Sequence, residues 1–302
     1  NNKSDLILLT KNEYFGKQMN IDEAYNFCKR ITLQHYENFP VGSFLIPKSK
    51  RKYFYSIYSF SRIADDIADE NFIETQEDKI LSLARMDELV NLIDTDAEIK
   101  NPIFLALRDT NRNNRIPAEP YKKLLKAFKA DVNFIQPNSW QDNLNYCDNS
   151  ANPIGELVLR LFDNYDENIK PYSDAICTGL QLINFWQDLS RDLKNGRNYI
   201  PVEVFAKFEI NNNSELFDAN SEKINECLKE CYEFTENFYK FGKNIVKFIK
   251  NFRLKVELII TYEGGLKILN QSKKMELEIL KERPKLRKSD FIFIFLKSLL
   301  KI

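Results

Sequence analysis

Two segments of this chain carry acidic residues on helices that are otherwise apolar nearly all round. In "AICTGLQLINFWQDLSRDL" (175–193), Ala175, Ile176, Leu180, Leu182, Ile183, Phe185, Trp186, Leu189 and Leu193 surround the helix, while Gln181, Asn184, Asp188 and Asp192 form a narrow polar ribbon with Gln187 and Arg191 beside it. The 53–70 segment repeats the design. Tyr53, Phe54, Ile57, Phe60, Ile63, Ala64, Ile67 and Ala68 are apolar, and Tyr58, Arg62, Asp65, Asp66 and Asp69 make the ribbon. A helix with one apolar stripe sits on a protein surface, whereas one apolar all round is buried, so these ribbons face something other than bulk water. Steps of three and four put the ribbon residues on one face, and the i,i+4 pairs Asp65/Asp69 and Asp188/Asp192 lie about 6 Å apart along their axes.

A lone i,i+4 aspartate pair is ordinarily a solvated face. Two such pairs, each on a helix with no other solvent face, call for another reading. Carboxylates crowded into a low-dielectric interior repel one another and protonate unless cations stand between them. Oxygen ligands without histidine or cysteine suit Mg²⁺, which keeps several waters and binds through a few carboxylates plus substrate phosphates. The ribbons are therefore expected to hold Mg²⁺ and a diphosphate.

The rest of the chain narrows the alternatives. Its 302 residues balance 44 basic against 44 acidic side chains, so nucleic-acid binding through bulk charge has no support and no nucleic-acid partner is expected. Eight glycines in all, with prolines mostly between periodic segments, favour an all-α fold. Helical periodicity occurs near 21–38, 50–70, 74–94, 102–109, 118–135, 171–193, 222–250, 254–281 and 288–301. Asn152–Pro153 is a helix start and Asn195–Gly196 a helix stop. Nothing reads as an interdomain linker, so one domain over 1–302 is expected, with 1–19 as an N-terminal extension. Five cysteines without a C-x-x-C pair and a single histidine remove the usual zinc sites and fit a reducing cytoplasm. No segment approaches the roughly 20 apolar residues of a membrane span.

The two ribbons resemble the aspartate-rich motifs of the squalene/phytoene synthase family of helical isoprenoid enzymes. Arg62-x-x-Asp65-Asp66-x-x-Asp69 matches the first, and Asn184-x-x-x-Asp188-x-x-x-Asp192, followed by "NGRNYIP", the second. "HYENFPVGSFLIP" (35–47) and "YCDNSANPIG" (146–155) are also similar to family segments, and the likeness runs over about 20–300. "HYENFPVGS" and "NFWQD" are most similar to the bacterial hydroxysqualene synthase branch of hopanoid biosynthesis. The resemblance implies a helical bundle around a prenyl cavity, with Asp65, Asp66, Asp69, Asn184, Asp188 and Asp192 as Mg²⁺ ligands and Mn²⁺ as an alternative ion. It implies catalytic roles for Tyr58, Arg62, Asp65, Asp69, Asp188 and Asp192. Phe39, Tyr146, Ala151, Ile154 and Gly155 would line the cavity, and Gln181, Asn184, Arg191, Arg197, Tyr262 and Arg283 would contact substrate. Many relatives that condense two diphosphates carry Arg where this chain has Gln187, and one cation fewer suits a single diphosphate.

The implied reaction is ionisation of presqualene diphosphate, rearrangement of a cyclopropylcarbinyl cation steadied by aromatic faces, and capture by water. No glycine-rich dinucleotide fingerprint is present, so NADPH use is not expected. The alternatives are condensation of two prenyl diphosphates and, from a different class, a non-catalytic helical scaffold for lipid or protein. The C-terminal "SDFIFIFLKSLLKI" (289–302) reads as a core helix or as a peripheral contact with the inner face of the cell membrane. Other enzymes of squalene and hopanoid synthesis are candidate partners.

Overall fold

Helix α2 (Arg51–Asp69) is buried on most of its circumference because four helices pack around it. They are α1 (Ile21–Gln34), α3 (Gln76–Ile93), α4 (Pro102–Asn114) and α5 (Glu119–Val132). Phe60 is fully enclosed and meets Phe104 and Tyr121 edge-on, with ring centroids 5.8 and 5.1 Å away. Ile63, Ala64 and Ile67 are equally enclosed. Burial of each such large side chain contributes about 1.5–3 kcal/mol. Local chemistry sets the helix ends: Thr75 caps α3 by accepting from the Asp78 amide, and Asn101 caps α4 ahead of Pro102.

These contacts come from a computed structural model that describes residues 10, 19–34, 46–69, 75–217, 221–287, 290 and 294. The fold is all-α as expected, and among the described residues there is no strand and no helix long and apolar enough to cross a membrane. Packing divides the chain into two compact units. The first draws on Asn1–Phe134 and Glu156–Tyr165 and centres on α2; the second draws on Ile135–Gly155 and Asp166–Ile302.

The second unit centres on α8 (Lys170–Gln187), which packs against α6 (Trp140–Ser150), α11 (Ser221–Gly242), α12 (Phe252–Met275) and the 3₁₀ helix Lys243–Lys247. Trp186 is fully buried and donates its indole N–H to Thr235 Oγ1 at 2.8 Å. Tyr239 of α11 is seated between two glycines. A Cβ on Gly179 of α8 would strike the edge of its ring, and one on Gly265 of α12 would strike its hydroxyl. Helix α7 (Asn152–Leu161) begins at the Asn152–Pro153 start read from the sequence.

The structure differs from the sequence reading at α8. The expected continuous 171–193 helix is interrupted at Asp188 (φ −95°, ψ 4°), and α9 (Leu189–Lys194) follows. Hydrogen bonds bridge the break, from the Asp188 amide to Asn184 O and from the Asp192 amide to Asp188 O, each at 2.9 Å. The i,i+4 relation of the second aspartate pair therefore survives. Helix α6 and the short helix α10 (Val202–Lys207) were not anticipated.

Candidate functional site

In the first unit the motif residues occupy the last two turns of α2 and grade from buried to exposed. Asp66 is 4 % exposed, Asp65 is half-buried and Asp69 is exposed. Arg62 reaches both of its acidic neighbours, with Nη1 3.0 Å from Asp65 Oδ2 and Nη2 2.5 Å from Asp66 Oδ1. Asp66, expected among the metal ligands, is thus turned to the guanidinium, while Asp65 and Asp69 keep the outward positions. Tyr58 stacks on Phe54 at 6.0 Å. Burial pushes its hydroxyl pKa up, Arg62 draws it down, and Asp65 and Asp66 push it up again.

In the second unit Asp188 sits at the junction of α8 and α9 and forms an ion pair with Arg283. The guanidinium meets the carboxylate through Nε and Oδ1, and through Nη2 and Oδ2 at 3.3 Å. Beside it, Gln187 donates its side-chain N–H to Pro284 O at 2.9 Å. Asn184 and Arg191 are exposed, and Gln181, Asp192 and Arg197 are half-buried. After α9 the chain turns at Asn195–Gly196, and the Arg197 amide donates to Asp192 O at 2.8 Å. Asn143 of α6 holds the next stretch through Tyr199 O at 2.9 Å.

The residues expected to line a prenyl cavity take several positions. Tyr146 packs against Phe185 and Tyr199, whose rings stack at 3.9 Å. Ala151 is half-buried and Ile154 is exposed. Gly155 faces α8, where an added Cβ would lie 2.6 Å from Ser173 Oγ and 2.7 Å from Cys177 Sγ, so the close approach there is of helix to helix. Tyr262 stacks on Tyr239 at 4.9 Å and lines a cavity of about 500 Å³ together with Ile176, Ile245, Val246, Leu258 and Ile259. Phe39, like most of 289–302, lies outside the described residues.

The donor chemistry fits Mg²⁺. Each motif offers carboxylate oxygens with partial access to solvent, and neither brings nitrogen or sulfur ligands. Among the described residues no three acidic, cysteine or histidine side chains gather into a cage of their own. Mg²⁺ does not require one, since it usually binds through one or two carboxylates plus phosphate oxygens and water. Sequence reasoning missed the Gln187–Pro284 contact, which carries no signal in local spacing.

Residues 32–290 match the squalene/phytoene synthase family. A hydroxysqualene synthase from Sinorhizobium fredii is 31% identical over 78% of this chain and 80% of its own. One from Zymomonas mobilis is 35% identical, but the match spans only 56% of either chain. Phytoene synthases also match, with lower identity. Among solved structures, the squalene synthase HpnC from Alicyclobacillus acidocaldarius superposes with a TM-score of 0.78 at 30% identity, covering 85% of this chain and 95% of that one.

Proposed function

The chain belongs to the squalene/phytoene synthase family, and we propose that within it this protein ionises presqualene diphosphate with the help of Mg²⁺ and releases hydroxysqualene and diphosphate. Position 187 carries the reading. Its side chain is a neutral amide engaged by Pro284 O, so the guanidinium found against Asp188 is that of Arg283. A site with this charge suits one departing diphosphate better than two. The names of the Sinorhizobium and Zymomonas relatives point the same way.

Asp65, Asp69, Asn184, Asp188 and Asp192 are the residues to hold Mg²⁺, which when bound neutralises charge on the departing diphosphate. Arg62 is positioned by Asp65 and Asp66 and offers its remaining donors to phosphate oxygens. The Tyr58 hydroxyl stays protonated at neutral pH and can donate a hydrogen bond as charge moves to the leaving group.

Incubating the purified protein with presqualene, farnesyl and geranylgeranyl diphosphates, with and without Mg²⁺, tests the reading. Hydroxysqualene from presqualene diphosphate, only with the metal, is the expected outcome. Presqualene diphosphate or phytoene formed from two smaller substrates would establish condensation instead, the reading that the phytoene synthase matches favour. Absence of product from all three would leave a binding scaffold.

A further inference from the structure

Between residues 237 and 256 the chain carries no acidic side chain and six basic ones, Lys240, Lys243, Lys247, Lys250, Arg253 and Lys255. In a molecule whose charges cancel overall, this is a local excess. It falls on the end of α11, the 3₁₀ helix Lys243–Lys247 and the start of α12. All but the half-buried Lys255 are exposed, and among the described residues only Lys240 has an acidic partner, Glu236 at 3.9 Å.

Large apolar side chains share the same surface. Phe241, Phe248 and Phe252 are 49%, 40% and 60% exposed. Two of these rings are fixed in place. Tyr172 of α8 stacks on Phe241 at 4.8 Å and on Phe248 at 5.1 Å, with ring planes within 26° and 19°. The result is an aromatic ledge edged by cations. The inner side of the 3₁₀ helix, through Ile245 and Val246, is a wall of the 500 Å³ cavity that Tyr262 lines.

We propose that residues 240–255 are a membrane-binding surface, with the cations on anionic phospholipid headgroups, the three phenylalanines entering the interface, and the apolar cavity lying behind the docked face. An acidic protein or a nucleic acid would satisfy the lysines and leave three phenylalanine rings in water. A bilayer interface takes both groups, since apolar side chains settle at the headgroup–acyl boundary while basic residues meet anionic lipid. The surface goes beyond the proposed reaction and does not depend on it, because its test reads no turnover.

The test is sedimentation of the full chain with vesicles of 70% phosphatidylcholine and 30% phosphatidylglycerol, and with phosphatidylcholine alone. Each basic residue near an anionic surface is worth about a fivefold factor in partitioning. The Phe252→Ser/Lys250→Glu/Arg253→Glu variant should therefore bind the anionic vesicles at least about 30-fold more weakly than wild type. A control with the same change in net charge, Lys29→Glu/Lys126→Glu, should stay within about threefold of wild type, and thermal melting should show both variants folded. Phe252→Trp should shift its fluorescence to the blue when anionic vesicles are added. The proposal is overturned if wild type ignores anionic vesicles, if the triple variant binds as wild type does, or if the control falls as far. Retention on single-stranded RNA without vesicle binding would likewise overturn it.

Discussion

The side chain of Gln187 donates to the carbonyl oxygen of Pro284 at 2.9 Å, and the next residues on either side of that contact, Asp188 and Arg283, form an ion pair. Two adjacent residues thus grip two adjacent residues 95 or more positions away, and they do so at the break between α8 and α9.

Because both contacts hold one segment, Gln187→Ala and Arg283→Gln should not act independently. A double-mutant cycle on kcat/KM is expected to show a coupling of about 0.5–3 kcal/mol. Effects that add to within about 0.3 kcal/mol would mean that the two contacts serve separate purposes.

Neighbouring aspartates in the first motif should separate in their effects. Asp65→Asn, Asp69→Asn, Asp188→Asn and Asp192→Asn are each expected to lower turnover at least ~100-fold with the fold intact, because a metal bridge supplies several kcal/mol at the transition state. Asp66→Asn removes the buried partner of Arg62 and should lower stability by about 1–3 kcal/mol. Turnover and urea midpoints for the five variants decide the matter, and full activity in Asp65→Asn would sink the metal assignment.

Mg²⁺ and inorganic diphosphate together should raise Tm more than either alone, since a ligand that binds only the folded state stabilises it by mass action. A melting curve indifferent to the pair would count against the site.

Glu257 offers a pH test away from the motifs. Its Oε2 is buried without a hydrogen-bond partner among the described residues, and burial pushes its pKa from 4.5 up to about 6. The folded state therefore binds the proton more tightly than the unfolded chain. The resulting stability is fully present below about pH 4.5 and is lost as pH rises through about 6. Glu257→Gln should be more stable than wild type at pH 7–8 by on the order of 2 kcal/mol, with the gap closing towards pH 4. Denaturation at the two pH values checks the sign.

Gly155→Ala should destabilise by about 1–3 kcal/mol, because the new methyl overlaps Ser173 Oγ and Cys177 Sγ. Cys177→Ala in the same chain should restore part of the loss. No recovery in the double variant would show that the strain lies elsewhere.

Much of this was legible in the chain. The apolar circumference of α2 announced a helix surrounded by others, and the spacing of Arg62, Asp65 and Asp66 announced their mutual reach. Helix α6 was missed because "WQDNLNYCDNS" buries only Asn143 and Cys147 and so shows no apolar stripe. A signal was nonetheless present in Ser139 and Asp142, which form a capping box at its start. The break at Asp188 could not be read, since the α-helical spacing of its neighbours continues across it. Nor could the pairing of Gln187 and Asp188 with residues 283–284, because partners so distant in sequence are chosen by tertiary packing, of which periodicity holds no record.

The seating of Tyr239 between Gly179 and Gly265 bears on how such a sequence can change over time. Neither glycine can gain a side chain while the tyrosine stays, and loss of the tyrosine alone leaves a void among three helices. The three positions therefore form a single unit of inheritance. Descendants that enlarge 179 or 265 are expected to carry a smaller residue at 239, so aligned relatives should show the three positions varying together although they lie on separate helices.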